Sequence, residues 1–349
     1  MRCLLASALS ATFLMAVAAG CGSDSSGEAD AQQAGQAAGK LTVYSGREEE
    51  LVGPLYELFE EETGIDVEVR YGDSAELAAT IAEEGENSPA DVFFAQDPGS
   101  LGAVEGEGLL AELPAESLER VDERFRDPDA HWVGTSARSR VIAYNTDALS
   151  EEEVPDSVWE LTDPRWKGKI GFPPTNASFQ AFVTAMRLTA GDERTRDWLE
   201  AIAANEPKFY EKNTPTVEAV AAGEIELGLV NHYYLYLVKE EQPDAPVENH
   251  FLPGDDPGAL VSVAGVAILE GSDDADAAQA FVDFLLSDEG QRFYATDAEE
   301  AEYPVVDEIP PREGLPPLSD LEGPRLELDE LGPELEKTLA LLSEVGLTS

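Results

Sequence analysis

The chain has 349 residues, of which 43% are hydrophobic, 72 are Asp or Glu and only 22 are Lys or Arg, so its formal net charge is −50. This composition supports a large core, and the charge argues against binding to nucleic acid, whose phosphates such a surface repels. Acids scattered in this way are typical of a surface adapted to high salt; a calcium-binding or disordered acidic protein is the alternative, but hydrophobic periodicity continues along the chain and no calcium-loop spacing is present.

The first 40 residues have the composition of a leader and a tether. Residues 1–20 are apolar after Arg2 and end in small residues, which predicts a signal peptide. Ala18-Ala19-Gly20-Cys21 resembles the lipobox of bacterial lipoproteins, with Ala18 in place of the usual leucine, so we expect Cys21 to be acylated. Residues 21–40 then form a flexible lipoprotein tether. The second cysteine also lies in the leader, so the folded part has no thiol for disulfides or cysteine-bound metal.

Residues 41–95 predict three strands that alternate with two helices. The strands are 41–44, 65–71 and 91–95. Hydrophobic residues on one face predict a helix from 51 to the glycine at 64, and Asp73 with Glu76 resembles a capping box for a helix that stops near 85. This β-α-β-α-β order predicts a parallel sheet with right-handed crossovers.

Residues 137–144 predict a strand on which Arg138, Arg140 and Tyr144 share one face. A guanidinium and a phenol on one face form a plausible pair for an anion and a metal, and solvated arginines on an ordinary strand are the alternative. A strand at 169–172 leads through Asn176 and Ser178 into a helix at 179–188, followed by helices at 192–205 and 216–222. The polar residues at this helix start can bind an anion or can simply cap the helix.

The segment Asn231-His232-Tyr233-Tyr234 lies between a predicted buried strand at 226–230 and a helix at 235–240. At such a junction, unlike within a strand, two neighbouring tyrosines can reach one ligand, and open α/β sheets bind ligands at the carboxyl ends of their strands. Phenols have a pKa of roughly 10, and a highly charged metal can force their deprotonation. The pair therefore indicates a hard cation such as ferric iron, with aromatic packing at a helix start as the alternative.

The last third of the chain contributes a strand at 261–269, which we expect to cross back to the first lobe, and a helix at 275–294. An irregular, Pro-rich segment follows at 304–324, and an amphipathic helix is predicted at 331–345. The chain has no nucleophile elbow, phosphate loop or dinucleotide motif, so the sequence indicates a binding protein rather than an enzyme.

Five segments in this order resemble the ferric-iron-binding proteins of bacterial ABC importers. They are Thr-Val-Tyr-Ser-Gly-Arg at 42–47, Ser-Pro-Ala-Asp-Val-Phe-Phe at 88–94, Arg-Ser-Arg-Val-Ile-Ala-Tyr-Asn at 138–145, Pro-Thr-Asn-Ala-Ser-Phe at 174–179 and Asn-His-Tyr-Tyr at 231–234. The resemblance covers nearly all of residues 41–300. It implies the type II periplasmic-binding-protein fold, an α/β fold whose two lobes are hinged by two crossing strands. On this basis the N-terminal lobe is 41–138 plus 264–300, and the C-terminal lobe is 139–263 plus 301–349.

The resemblance also implies the ligands. Tyr233 and Tyr234 match the family's paired ligand tyrosines, and Tyr144 matches a third ligand of the tyrosine-rich branch. Three tyrosinates balance the charge of Fe³⁺ but leave an octahedral metal short of donors. We therefore expect a synergistic anion, carbonate first and phosphate second. The residues expected to hold it are two arginines and two residues at a helix start: Arg47, Arg140, Asn176 and Ser178.

The chain departs from the histidine–glutamate version of this site. Some members have a histidine after the first strand, where this chain has Glu48, and a glutamate after the third strand, where it has Gln96 followed by Asp97. His131 and His250 match no ligand motif, and His232 is interpreted as structural rather than as a ligand. Glu48 or Asp97 acting as a direct ligand is the rival explanation, and it would make the anion unnecessary.

Together these features predict an extracytoplasmic, lipid-anchored, monomeric receptor that captures ferric iron and delivers it to an ABC permease. We expect it at the outer face of the cell membrane or in the periplasm. Two alternatives stay open at this point. A receptor for a small anion or organophosphate would use Asn176, Ser178 and the arginines without a metal, and an enzyme on the same scaffold would use Tyr or Asp side chains as acid–base groups.

The net charge of −50 should destabilise the compact protein in dilute buffer, because its acidic groups repel each other. Raising sodium chloride from 0.1 M to 1 M shortens the Debye length from about 10 Å to about 3 Å. We therefore expect the melting temperature, measured by calorimetry, to rise across this range. A flat or falling curve would mean that bound cations already neutralise the acids or that the acids are harmlessly spaced.

Overall fold

The computed structural model describes residues 39–297, 301–306 and 308–348. The predicted signal peptide and Cys21 lie outside the described residues, as does nearly all of the predicted tether. Across the ranges that are described, no helix is both long enough and apolar enough to span a membrane.

The described residues form ten strands and eleven α-helices. The strands are β1 (Lys40–Ser45), β2 (Asp66–Tyr71), β3 (Val92–Ala95), β4 (Val133–Asn145), β5 (Ile170–Phe172), β6 (Lys208–Phe209), β7 (Leu227–Asn231), β8 (Val247–His250), β9 (Val261–Ile268) and β10 (Tyr303–Pro304). The helices are α1 (Glu49–Thr63), α2 (Ser74–Glu84), α3 (Pro98–Gly106), α4 (Ala115–Leu118), α5 (Ala177–Ala190), α6 (Asp192–Ala204), α7 (Asn213–Ala221), α8 (Tyr234–Glu241), α9 (Ala275–Leu285), α10 (Asp288–Arg292) and α11 (Leu335–Glu344).

One strand, β4, is common to the two halves of the sheet, whose order is β2-β1-β3-β9-β4-β7-β5-β6 with β8 and β10 also paired to β4. Up to Ser139, β4 pairs antiparallel with β9, and from Arg140 it pairs antiparallel with β7. We call β1, β2, β3, β9 and the first part of β4 the first half, and the second part of β4 with β5 to β8 the second half. The chain passes from the first half to the second along β4 and re-enters the first half at the start of β9, as expected for two hinged lobes. Strand β1 pairs in parallel with β2 and β3, which confirms the predicted β-α-β-α-β order.

Strand β4 is longer than the predicted 137–144 because its partners order residues of low strand propensity. All thirteen of its residues are buried. Gly134 and Ser136 are poor strand formers, yet Gly134 pairs with β9 and Ser136 with both β9 and β10, while the register shifts at Thr135 between them. Tertiary pairing therefore extends the strand beyond what local preference indicates.

The single helix predicted at 275–294 is wrong, because the chain breaks it after Leu285. The hydroxyl of Ser287 accepts the N–H of Gly290 at 3.2 Å and caps α10. A side chain at position 290 would place a Cβ 2.4 Å from the carbonyl oxygen of Phe284, so the break depends on this glycine. Hydrophobic periodicity continues across the break and hides the capping signal.

Stacked aromatic rings position the start of α5. Phe172, the last residue of β5, stacks on Phe179 in the first turn of α5 with ring centroids 4.5 Å apart. Both side chains are fully buried. In the first half, Phe59 of α1 packs at 5.1 Å against Phe281 of α9. The β5–α5 contact fixes the helix start that carries Asn176 at its cap.

The C-terminal segment contacts both halves. Strand β10 pairs with the first part of β4, whereas α11 lies on α5, where Thr338 and Thr184 share a hydrogen bond of 2.8 Å. Between them, Gly332 lies against Gly99 of α3, so closely that a Cβ on Gly99 would be 2.8 Å from the Cα of Gly332. The assignment of 301–349 to the C-terminal lobe alone, and the other lobe limits, stay predictions.

A buried ion pair joins the loop after β1 to the chain before β10. Arg47 donates from Nη1 and Nη2 to the two carboxylate oxygens of Glu302 at 3.2 and 2.8 Å, and the side chains are 2% and 1% exposed. The hydroxyl of Ser136 donates to the same carboxylate at 2.7 Å. Burial acts to raise the pKa of the Glu302 carboxyl, but Arg47 and Arg138 outweigh it and lower that pKa. The pair therefore stays ionised inside the protein.

Replacing Glu302→Gln should lower the free energy of unfolding by roughly 3–5 kcal/mol, because the buried guanidinium of Arg47 loses its counter-charge. Glu68→Gln is the matched control, since Glu68 pairs with Lys40 at 2.7 Å while both side chains are more than half exposed. Its loss should cost no more than about 1 kcal/mol. Urea denaturation of both variants measures the difference, and equally small effects would contradict the prediction.

Candidate metal and anion site

Tyr233 and Tyr234 lie where β7 ends and α8 begins. Tyr233 already has helical backbone angles, so the two side chains do not alternate as in a strand. Their hydroxyl oxygens are 3.3 Å apart and their ring centroids 4.4 Å apart. Because metal–oxygen bonds are about 2 Å long, one ion can contact both oxygens. Tyr233 is buried and Tyr234 half-buried, so a ligand can reach the pair from the side of Tyr234.

His232 holds this junction in place. Its backbone N–H donates to the carbonyl of Ser139 at 3.0 Å, and its Nδ1 accepts the N–H of Ser139 at 3.2 Å. Its Nε2 lies 3.1 Å from the carbonyl oxygen of Ala301 and must donate to it. Burial lowers the pKa of His232 to about 4, so the ring is neutral with its proton on Nε2. Both ring nitrogens are occupied, and neither is left for a metal.

Arg140 lies beside the paired tyrosines, directly opposite Asn231 in the β4–β7 register. Its Nη1 donates to the side-chain oxygens of Asn231 and Ser178, both at 3.2 Å. Burial lowers the pKa of Arg140 to about 10, while Tyr233 and Tyr234 act to raise it. The guanidinium is therefore charged at neutral pH. Within the described part of the chain, no carboxylate forms an ion pair with it.

The start of α5 completes the polar cluster. The side-chain oxygen of Asn176 accepts the N–H and the hydroxyl of Ser178 at 3.0 and 2.6 Å, and the amide of Asn213 at 3.2 Å. The side-chain oxygen of Asn213 is buried without a hydrogen-bond partner in the described structure. At the other end, the amide of Asn231 lies 3.4 Å from the hydroxyl of Tyr233. Hydrogen bonds thus run from the α5 cap through the guanidinium to the tyrosine pair.

Tyr144 is not part of this cluster. It pairs with Leu227 at the start of β7, four residues along β4 from Arg140, which corresponds to about 13 Å at the usual rise of a strand. Burial raises the pKa of Tyr144, and the nearby Glu151 and Glu248 raise it further, which disfavours a phenolate. Because β4 and β7 belong to the same half, hinge closure does not shorten the distance. The three-tyrosine set expected from the sequence is therefore not assembled.

Glu48, Gln96 and Asp97, the first-half residues considered as possible metal ligands, differ in whether their side chains already have hydrogen-bond partners. Both carboxylate oxygens of Asp97 cap α3, accepting the N–H and the hydroxyl of Ser100, each at 2.9 Å. Glu48 is exposed, and Gln96 is half-buried with its backbone N–H donated to Ser74 at 2.9 Å. Among the described residues, the side chains of Glu48 and Gln96 make no hydrogen bond. Asp97 is therefore satisfied without a metal.

Sequence reasoning missed three polar residues of this region. Glu302 holds the guanidinium of Arg47, which the sequence assigned to an anion. Asn213 joins the α5 cap, and Asn231 links Arg140 to the tyrosines. Glu302 lies 255 positions from its partner, and Asn231 lies 91 positions from Arg140. The register of β4 with β7 could have indicated the Arg140–Asn231 pair, but Arg47 and Glu302 lie outside the strands and no local pattern joins them.

Comparison with known proteins identifies the family of the chain. A family model described as bacterial extracellular solute-binding protein matches residues 87–316. The major ferric iron-binding protein of Neisseria meningitidis is 35% identical over 311 residues, which cover 88% of this chain and 93% of that protein.

Two solved structures have the same architecture. The iron-bound protein HitA from Pseudomonas aeruginosa is 36% identical with a TM-score of 0.81, over 88% of this chain and 99% of that one. The Trichodesmium protein IdiA (FutA), in complex with iron and citrate, is 27% identical with a TM-score of 0.76, over 89% of this chain and 100% of that one. These matches confirm the predicted type II periplasmic-binding-protein fold. The chain belongs to the bacterial extracellular solute-binding proteins, which bind solutes rather than act as enzymes.

Proposed function

We propose that this protein is an extracytoplasmic receptor for ferric iron in an ABC import system, and that the phenolates of Tyr233 and Tyr234 hold the metal. The observation that carries the proposal is the pair of phenol oxygens 3.3 Å apart beside the buried Arg140. The relatives support the same solute, since one is named a major ferric iron-binding protein and another contains iron. Tyr144 is left out of the ligand set because of its position.

Arg140 favours the phenolate form of the pair. Two adjacent phenolates repel each other, but a buried positive charge beside them reduces the cost, and this effect is stronger in a low dielectric. The amide of Asn231, which donates to the hydroxyl of Tyr233 at 3.4 Å, can donate equally to the phenolate. A ferric ion then displaces the remaining protons from the phenols.

A synergistic anion would complete the metal's coordination. Two phenolates supply two donors and two charges, which leaves Fe³⁺ short of an octahedral sphere. Arg140 and the start of α5 at Asn176 and Ser178 offer a guanidinium and a helix N-terminus for it. Carbonate is the first candidate, phosphate the second, and citrate the third because it accompanies iron in the Trichodesmium protein. Arg47 would have to exchange Glu302 for the anion.

We also propose that Cys21 anchors the mature protein, as a monomer, at the outer face of the cell membrane, from where it delivers iron to the permease. The lipobox-like segment and the tether composition support the anchor. The crossing strands β4 and β9 suit hinge closure around a solute and its release.

Tyr233→Phe or Tyr234→Phe should reduce ferric affinity by more than about a hundred-fold, since removal of even an outer-shell partner of a metal ligand typically costs 10–100-fold. The ring is kept, so the melting temperature should change little. Titration with chelated ferric iron, followed by the visible ferric-phenolate band, measures the loss.

Tyr144→Phe is the matched control, because it removes a phenol from the same half of the protein but outside the cluster. We expect it to bind iron like the parent. If Tyr144→Phe lost as much ferric affinity as Tyr233→Phe, the result would support Tyr144 as a third ligand. Phosphate or sugar phosphate bound without iron, with no ferric-phenolate band, would instead support the alternative of an anion receptor.

Ferric titration in buffer free of carbonate and phosphate should show weak binding, restored when carbonate, phosphate or citrate is added back. Ser178→Ala should reduce the effect of the added anion, because it removes a hydroxyl beside Arg140. Thr175→Ala is the control, since Thr175 is exposed on the same loop. Full-strength binding with no anion would overturn the anion proposal and favour a protein carboxylate such as Glu48.

A further inference from the structure

Three metal-binding side chains meet in the first half, outside the tyrosine site. Glu105 lies near the end of α3, and Asp127 and His131 lie in the loop that leads into β4. The Nδ1 of His131 is 3.0 Å from an oxygen of Glu105 and 3.5 Å from an oxygen of Asp127. One ligand atom from each residue lies within 4.8 Å of the others. We propose that this cluster binds a first-row divalent cation, with Zn²⁺ as the best match.

The separations suit a tetrahedral metal. Bonds of about 2.0–2.1 Å at tetrahedral angles place two ligand atoms about 3.3 Å apart. The two distances from His131, 3.0 and 3.5 Å, lie on either side of this value. Without a metal, Nδ1 can donate its one proton to Glu105, and the Asp127 oxygen beside it accepts only the backbone N–H of His131 among the hydrogen bonds of the described residues. A single ion can contact Glu105, Asp127 and His131 together.

The cluster also carries more negative charge than His131 can balance. The side chains of Asp127 and Glu105 are only 2% and 18% exposed. The two carboxylates lie close together, since each offers an oxygen within 4.8 Å of the other's. Asp129 and Asp329 add negative potential around the pair. A divalent cation removes this repulsion, and one His with two carboxylates is a ligand set that zinc accepts.

The loop before β4 fixes the positions of Asp127 and His131 and leaves the cluster open to solvent on one side. An oxygen of Asp127 accepts the backbone N–H of His131 at 2.7 Å. The backbone N–H of Asp127 donates to Trp132 at 3.1 Å. A surface cavity of about 940 Å³ reaches Asp127. The side chain of His131 is 31% exposed, so water can take the fourth position. A bound ion would link the end of α3 to the strand shared by both halves.

The test is equilibrium dialysis of the purified protein against Zn²⁺, with the bound metal counted by mass spectrometry and Co²⁺ used as a spectroscopic substitute. We expect one ion per chain, a tetrahedral Co²⁺ spectrum and a zinc-dependent rise in melting temperature. Glu105→Gln and His131→Gln should each weaken zinc binding by at least about a hundred-fold, since they remove a direct ligand. Their ferric titration should match the parent, which shows that both variants are folded.

Two controls separate this site from others. His250→Gln removes a histidine that pairs with one carboxylate only, Asp156 at 3.0 Å, and should keep zinc. Tyr233→Phe should also keep zinc, because it alters only the iron site. Zinc retained by both Glu105→Gln and His131→Gln, zinc lost in Tyr233→Phe, or no zinc bound at micromolar free metal would each overturn the proposal.

Discussion

A buried guanidinium that has no carboxylate partner among the described residues is the constraint around which the tyrosine site is arranged. In a chain with 72 acidic residues, an arginine on the surface would have a counter-ion nearby. Arg140 is instead 4% exposed, and its contacts are with the neutral side chains of Asn231 and Ser178. A buried charge of this kind is costly unless it is paired. In the proposed site, phenolates and a bound anion would supply the missing negative charge, which would make the ligand part of the electrostatic balance of the protein.

Strand β4 places the charge of Arg140 at the point where the strand passes from one half of the sheet to the other. Its first part belongs to one half of the sheet, and Arg140 is the first residue paired with the other half. His232 is bonded to the neighbouring Ser139 through both its backbone N–H and its ring. The residues that orient the tyrosines are therefore attached to the hinge itself. Closure of the lobes can then move first-half residues toward the site without disturbing the second-half cluster.

The sequence predicted the α/β order and the strand–helix junction, because both depend on short-range patterns. It predicted the crossing strands because its motifs resemble those of a known family and occur in the same order. The structure brings Arg140, Ser178 and the paired tyrosines together and places Tyr144 four residues farther along β4. Alternation puts Arg140 and Tyr144 on one face but does not give the distance between them along the strand, and the ligand roles stay predictions. Arg47 was likewise assigned without knowledge of Glu302, which is 255 positions away. Register and long-range ion pairs arise only from the folded chain.

The two proposed metal sites differ in the charge that surrounds them, and this difference bears on selectivity. A surface of net charge −50 attracts every cation, so it cannot select one. Beside Tyr233 and Tyr234, the positive Arg140 penalises any cation, and only an ion charged enough to deprotonate two phenols offsets that penalty. Around His131, the buried Asp127 and the half-buried Glu105 favour a positive ion, and two negative charges are balanced by a divalent one. The sign of the neighbouring charge thus assigns the trivalent and the divalent ion to different places.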